Sequence, residues 1–328
     1  MPCWSQVLKE IEEKSREIAR LREQDPTNPD GNKLPHLEVL KKYLRSLENE
    51  TGRFTIFYAS GWMHKPNVPS FVSSVHPMDM EGFLECVYHA KGNQHLDLIL
   101  HSPGGSPEAA EQIITYLRQK FKSIRAIVLH QAMSAATMMA LAADKILLTR
   151  HAMLGPTDPQ LIIPTNTGVP TMVSAHALKE EFEKAKGEAN NMAAWAPILA
   201  QYPPGIFSKC EHALDLTKEL AVRWLATYML RRKRDREHLS EELANFFASP
   251  EHHSHGRPLM YEDLREWKRK GLKVGLVEED RDPDFQDVLM SAWHAMSHLL
   301  GGTPIAKAIM CSRGEGYLRY FNPSPQAN

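Results

Sequence analysis

Apolar residues recur at helical spacing at the start of the chain. Leu8, Ile11, Ile18 and Leu21 fall near one stripe among Glu, Lys and Arg, which predicts an amphipathic helix over 5–25. The turn residues Asp25-Pro26-Thr27-Asn28-Pro29-Asp30-Gly31 end it. HLEVLKKYLRSLEN predicts a second helix over 36–49. The pair reads either as an N-terminal arm for contacts between copies or as a helical hairpin packed on its own domain. From residue 54 the period changes. Short runs rich in β-formers predict strands over 54–59, 96–101, 124–129 and 144–149. Helices are predicted between them over 78–90, 107–120 and the small-residue stretch 134–143. This alternation implies right-handed βαβ units and a mostly parallel sheet. Beyond about 175 helical periodicity dominates, near 174–192, 209–231, 236–247, 260–270 and 284–300, with a short closing strand over 273–277. The Gly/Pro-punctuated tail after 302 reads as loosely ordered.

Composition narrows the class. The chain has 328 residues, 42% hydrophobic and 24% charged, as in an ordinary globular protein with enough chain for a sizeable core. Lys+Arg number 39 against 40 Asp+Glu, a net charge of -1, so no global field favours nucleic acid or an anionic membrane. No stretch approaches the roughly 18 apolar residues of a bilayer span. The charged N-terminus has no apolar segment of the kind a secretory signal carries. Cys3, Cys86, Cys210 and Cys311 are scattered without CxxC spacing, which argues against a disulfide scaffold or a cysteine zinc site. The expected setting is cytoplasmic. The expected organisation is a helical arm over 1–50, a core over 51–280 with a helical insertion at about 174–250, and a C-terminal helix and tail over 281–328.

Two strand-to-helix junctions carry candidate chemistry, because ligands of parallel α/β sheets bind where strands end and helices begin. The first is His101-Ser102-Pro103-Gly104-Gly105. Adjacent glycines let a substrate approach the main chain and let amides point into a cleft, as an oxyanion hole requires. Taken alone, the same residues make a plain turn with Pro107 in the first turn of the next helix. The second is Gln131-Ala132-Met133-Ser134-Ala135-Ala136-Thr137. Ser134 there is either an N-cap or a nucleophile over a helix N-terminus, with the Ala135 amide available to an oxyanion. Successive junctions of these two kinds put an amide donor beside a hydroxyl at one edge of a sheet.

Here the sequence becomes specific. The segments 98–105, 132–136 and Ala142-Ala143-Asp144-Lys145-Ile146 resemble the Clp protease/crotonase superfamily. Within it they are most similar to the signal peptide peptidase A branch and the serine dehydrogenase proteinase (SDH_sah) family. Gly155-Pro156-Thr157-Asp158-Pro159-Gln160 matches a loop of that family, and Ser254-His255-Gly256-Arg257-Pro258 with 271–274 resembles its C-terminal return to the sheet. The resemblance covers roughly 54–280. It implies an α/β fold with a ClpP/crotonase-like core of repeated ββα/βαβ units, a mainly parallel sheet and added helices on the N- and C-terminal sides.

The resemblance also implies a serine endopeptidase acting on polypeptides through a covalent intermediate, with no cofactor and no metal, assembled as a homo-oligomer. Ser134 becomes the nucleophile, Gly105 and Ala135 supply the oxyanion hole, and Gly104, Met133 and Asp158 line the substrate cleft. The Clp branch takes its base from a histidine one loop beyond the serine, where this chain has Gly155-Pro156-Thr157-Asp158. The peptidase A branch uses a lysine, which must be buried enough to lose its charge. Lys186 is the first candidate, then Lys179 and Lys184, with Lys209 behind them. Solvated pairs such as Glu180–Lys184 are the alternative for that glutamate-rich helix. His252, His253 and His255 read as a polar loop rather than a metal site, although the resemblance brings His255 toward the cleft. Arg231-Arg232-Lys233-Arg234 reads as a solvated helix end. Two rivals stand beside the peptidase: a crotonase-like acyl-CoA enzyme and a catalytically inactive ClpP-like scaffold.

Overall fold

A computed structural model describes residues 4–164, 170–280 and 283–322. Two helices open the chain, α1 (Trp4–Gln24) and α2 (Pro35–Thr51), followed by β1 (Phe54–Ser60), α3 (Ser70–Ser73), α4 (Asp79–Tyr88), β2 (His95–Ser102), α5 (Pro107–Lys120), β3 (Ser123–Ala132), α6 (Ala135–Leu141) and β4 (Lys145–Leu148). The strands β5 (Met153–Leu154), β6 (Gln160–Ile163) and β7 (Thr171–Ser174) lead into α7 (Ala175–Gly187), α8 (Met192–Leu199), α9 (Ile206–Trp224) and α10 (Arg236–Phe247). The chain closes with β8 (Leu259–Met260), α11 (Arg265–Lys270), β9 (Val274–Leu276), α12 (Val277–Asp280), α13 (Pro283–Gly302), β10 (Ile305–Cys311) and β11 (Gly316–Tyr320).

All the strands but β6 and β7 form one sheet in the order β11-β10-β1-β2-β3-β4-β9, with β5 and β8 extending from β3. Neighbours from β1 to β9 run parallel, while β10 pairs antiparallel with β1 and β11 with β10. Both faces are covered, so the central strands are buried along their length rather than on alternate residues, as in β1, where every residue is buried. One face packs on α4, α5, α6, α9 and α10 through Phe83, Ile113, Met139, Trp224 and Leu243. The other packs on α1, α2 and α13 through Ile11, Leu44 and Met296. Because the central strands run parallel, the ends of β2 and β3 share one edge.

The first two helices pack against the sheet of their own chain through Ile11 and Leu44. The expectation for the C-terminal tail is corrected. Residues 305–311 and 316–320 are sheet strands, β10 lying fully buried against β1. The apolar run Ile305-Ala306-Lys307-Ala308-Ile309-Met310 has the composition of a buried strand, and the Gly and Pro residues around it mark turns. Residues 323–328 lie outside the described residues. The small β6–β7 hairpin and α7 share a separate apolar cluster with α9, around Leu161, Leu178 and Ile206. Cys86, Cys210 and Cys311 are buried free thiols, while Cys3 lies outside the described residues.

Candidate functional site

The two junctions meet. A bulge between Leu100 and Ser102 shifts the pairing of β2 with β3, so that Ser102 lies opposite Ala132 and its carbonyl accepts from the Met133 amide at 3.0 Å. Two residues on, Gly104 passes directly behind Ser134. A Cβ on Gly104 would sit 2.5 Å from the Ser134 Cβ and 2.6 Å from the Met133 carbonyl, and φ there is 93°. Only glycine permits both the conformation and the approach.

Ser134 is not an ordinary N-cap. Its side chain makes no capping bond, and its backbone stands at φ 51°, ψ -119°. His253 is the only other non-glycine residue with positive φ among the described residues. A serine held in that region costs on the order of 1–3 kcal/mol, and such strain clusters at functional sites. The conformation resembles the sharp strand-to-helix turn that presents a nucleophilic hydroxyl. Thr137, buried in α6, fixes the turn. Its hydroxyl donates to the Ala132 carbonyl at 2.7 Å and accepts from the Gly155 amide at 2.9 Å. Gly155 in turn lies close against Met133, whose flexible Cε end a Cβ would meet at 2.6 Å.

Two amides near this turn have no hydrogen-bond partner among the described residues: Gly105, which is exposed, and Ala135, at the start of α6. The Gly104-Gly105 loop is held from behind by Val75. The Val75 amide donates to the Gly104 carbonyl at 2.6 Å, and the Ser106 amide donates to the Val75 carbonyl at 2.9 Å. These two bonds bracket Gly105 and leave its own N–H free. Ser106 then caps α5, accepting from Ala109 at 3.0 Å, with Pro107 in the first turn.

The lysines lie in a different environment from the one a Ser–Lys dyad requires. Lys186 pairs with Glu183 at 2.8 Å, Lys184 with Glu180 at 2.8 Å, and Lys179 with Glu211 at 4.0 Å. Their side chains are 56%, 61% and 48% exposed. Solvent and adjacent carboxylates stabilise the ammonium form, and Glu180 raises the Lys184 pKa through its hydrogen bond and its charge. This is the solvated helix face that glutamates at i,i+4 spacing produce.

A titratable pair that composition did not single out lies beyond the Gly155 loop. Strand β5 runs beside the end of β3, and β8 runs beside β5. This order brings the loop preceding β8 against the loop following β5. There His255 Nδ1 lies 2.8 Å from Asp158 Oδ1, while the other carboxylate oxygen accepts from Gln160 and Ser174. Burial pushes the Asp158 carboxyl up, but the His255 and Ser174 bonds outweigh it and leave the pKa lowered. The pair lines a cleft with Ser174, His176 and Ser254. His252 and His176 bond to the Phe246 and Ala248 carbonyls. Among the described residues no three ligating side chains converge as a metal site. No helix among them is long and apolar enough to cross a membrane.

Comparison with known proteins follows the same segment. Residues 68–196 match the family described as ClpP-like SDH-type serine proteinase. Two uncharacterized proteins of Methanocaldococcus jannaschii are 47% and 39% identical to this chain over 83 residues, a quarter of its length. The match spans 29% and 28% of those relatives. Among solved structures, a serine-to-alanine variant of the 1510-N membrane-bound stomatin-specific protease aligns at 16% identity and TM-score 0.38, over 76% of this chain and 94% of that one. A lysine-to-alanine variant of the same protease with a substrate peptide aligns at 16% identity and TM-score 0.34, over 73% and 84%. Scores this low carry no structural correspondence. It is through residues 68–196, which hold both junctions and the Gly155 loop, that the chain resembles the ClpP-like SDH-type serine proteinases.

Proposed function

We propose that the chain is a serine peptidase in which Ser134 attacks a peptide carbonyl. The observation that carries this reading is the contact of Gly104 with a strained, unbonded Ser134. A hydroxyl held at φ 51° gains nothing for the fold, and strain of this kind persists where the surroundings impose it. In the mechanism, the Ser134 Oγ bonds to the substrate carbon while a base takes its proton. The carbonyl oxygen becomes an oxyanion stabilised by the Gly105 and Ala135 amides, and the proton passes to the leaving amine. Water then attacks the acyl-enzyme and releases the acid. Removing one such amide donor typically costs about 2.7–4 kcal/mol in the barrier. Gly104, Met133 and Asp158 are the residues that the sequence resemblance assigns to the polypeptide cleft, and of these Asp158 lines the cleft beside His255.

For the base, a Ser–Lys dyad through Lys186, with Lys179 or Lys184 in its place, is the reading that the sequence resemblance implies. A specific observation favours a second reading. The 2.8 Å bond to Asp158 engages His255 at Nδ1, leaving Nε2 as the proton acceptor, which is how a carboxylate orients a catalytic imidazole. The cleft would face a polypeptide within a homo-oligomer, and the exposed apolar helix α8 supports that assembly.

A fluorophosphonate probe tests both parts. Ser134 is expected to be labelled, and Ser134→Ala to abolish labelling. His255→Gln and Asp158→Asn are expected to slow labelling at least tenfold, since each removes the oriented proton acceptor. Lys179→Ala, Lys184→Ala and Lys186→Ala are expected to label at the wild-type rate. Loss of labelling in one of these lysine variants would instead identify the dyad. An unlabelled wild type would return the chain to the scaffold reading.

A further inference from the structure

Behind the Gly104-Gly105 loop lies a charged group that the reaction described above does not use. Lys307 of β10 is fully buried, as are Asp79 at the start of α4 and Tyr58 of β1. The Lys307 ammonium donates to both Asp79 oxygens, at 2.7 and 2.9 Å. Its third bond, at 2.6 Å, goes to the Ser74 carbonyl. Asp79 Oδ2 also accepts from the Tyr58 hydroxyl at 2.8 Å and from the His76 amide at 2.9 Å. Every donor and acceptor of the ion pair is thus engaged.

A buried ion pair is weak support for stability, since apolar residues of similar volume usually serve as well or better. What distinguishes this one is what it holds. Ser74 immediately precedes Val75, whose amide and carbonyl bracket Gly105 through Gly104 and Ser106. The ion pair therefore reaches the loop through Ser74 and Val75. The Ser102 oxygen accepts from the Gly104 amide at 3.2 Å.

We propose that Lys307, with Asp79 and Tyr58, is a positioning device that aims the Gly105 amide into the oxyanion site. Lys307 touches neither the reacting atoms nor Ser134. It acts by fixing the segment 74–76 against which the glycine loop is laid. The inference rests on the peptidase reading for its catalytic consequence, but the placement of the Gly105 amide can be measured without catalysis.

The test uses the full chain carrying Lys307→Met with Asp79→Asn. The Tyr58 and His76 bonds share one oxygen of residue 79, which the Asp79→Asn amide retains, and no lone charge is left buried. Protein labelled with 15N-glycine reports the Gly105 amide, assigned through Gly105→Ala, and fluorophosphonate kinetics report its use. The variant is expected to shift or broaden the Gly105 resonance. Its maximal inactivation rate is expected to fall about tenfold to a hundredfold, with the probe concentration for half-maximal rate unchanged. A merely structural ion pair would lower the melting temperature and leave both readouts at wild-type values, which would overturn the proposal. A shifted Gly105 resonance in a protein whose Ser134 is unlabelled even as wild type would sustain the positioning role and reject the peptidase reading.

Discussion

Ser134 concentrates conformational cost and chemical opportunity in one residue. Glycine adopts φ 51°, ψ -119° freely, so Ser134→Gly is expected to be more stable than Ser134→Ala by about 1 kcal/mol, both being unreactive to the probe. Urea denaturation of the two variants measures this, and an alanine variant as stable as the glycine one would mean that the turn is unstrained. Gly104 gives the complementary case. Its Cβ would overlap Ser134, so Gly104→Ala is expected to destabilise the fold by roughly 1–3 kcal/mol and to suppress labelling. Motif reading found both positions, because Gly-Gly and small-Ser-small are local signals. It did not give the serine its backbone conformation: a helix N-cap and a strained elbow share the same residue types. Lys307 was legible only as a lysine inside an apolar run, a pattern that does not say where the amine ends.

At the scale of elements, α8 stands apart. Its sequence, Met-Ala-Ala-Trp-Ala-Pro-Ile-Leu, is apolar all round, yet none of its residues is buried, and Met192 and Ile198 are well exposed. Ile162 of β6 and Met172 of β7 are also exposed. A helix of this kind in water usually marks a surface covered in an assembly. Sedimentation of the wild type is expected to give a multimer, and Met192→Glu with Ile198→Glu a smaller species of unchanged folding stability. A wild-type monomer at high micromolar concentration would remove the oligomer reading. The neighbouring α7 shows the opposite relation between sequence and role. Its glutamate–lysine spacing predicts solvated pairs, and those pairs form.

Across the whole molecule, the face covered by α2 and α13 gathers neutral histidines. His101 is wholly buried, stacked on Trp62 at 4.4 Å and edge-on to Trp293 at 4.7 Å. Burial, with neighbouring His130 and His64, pulls its pKa from 6.5 down to about 3. Burial also lowers the pKa of His36, His64, His130 and His294. The folded state refuses protons that the unfolded chain accepts. The contribution is therefore complete above about pH 6.5 and is lost as pH falls toward 3, by about 1.4 kcal/mol per pH unit for His101 alone. Urea midpoints at pH 7 and pH 4.5 are expected to fall steeply in the wild type and less in His101→Phe, which keeps the aromatic stack. Parallel losses in the two proteins would place the acid sensitivity elsewhere.

The sequence by itself determined the alternation of strand and helix, the two N-terminal helices, and the positions of the glycine pair and of Ser134 at strand-to-helix junctions, because periodicity and turn chemistry act within a few residues. Only the tertiary structure decided that residues 305–320 complete the sheet, that Gly104 backs Ser134, that His255 meets Asp158, and that Lys307 is anchored between Asp79 and Ser74. Each of these joins positions far apart in the chain. Their energies depend on burial and on which partner fills a cavity, and the local spacing of residue types does not carry that information.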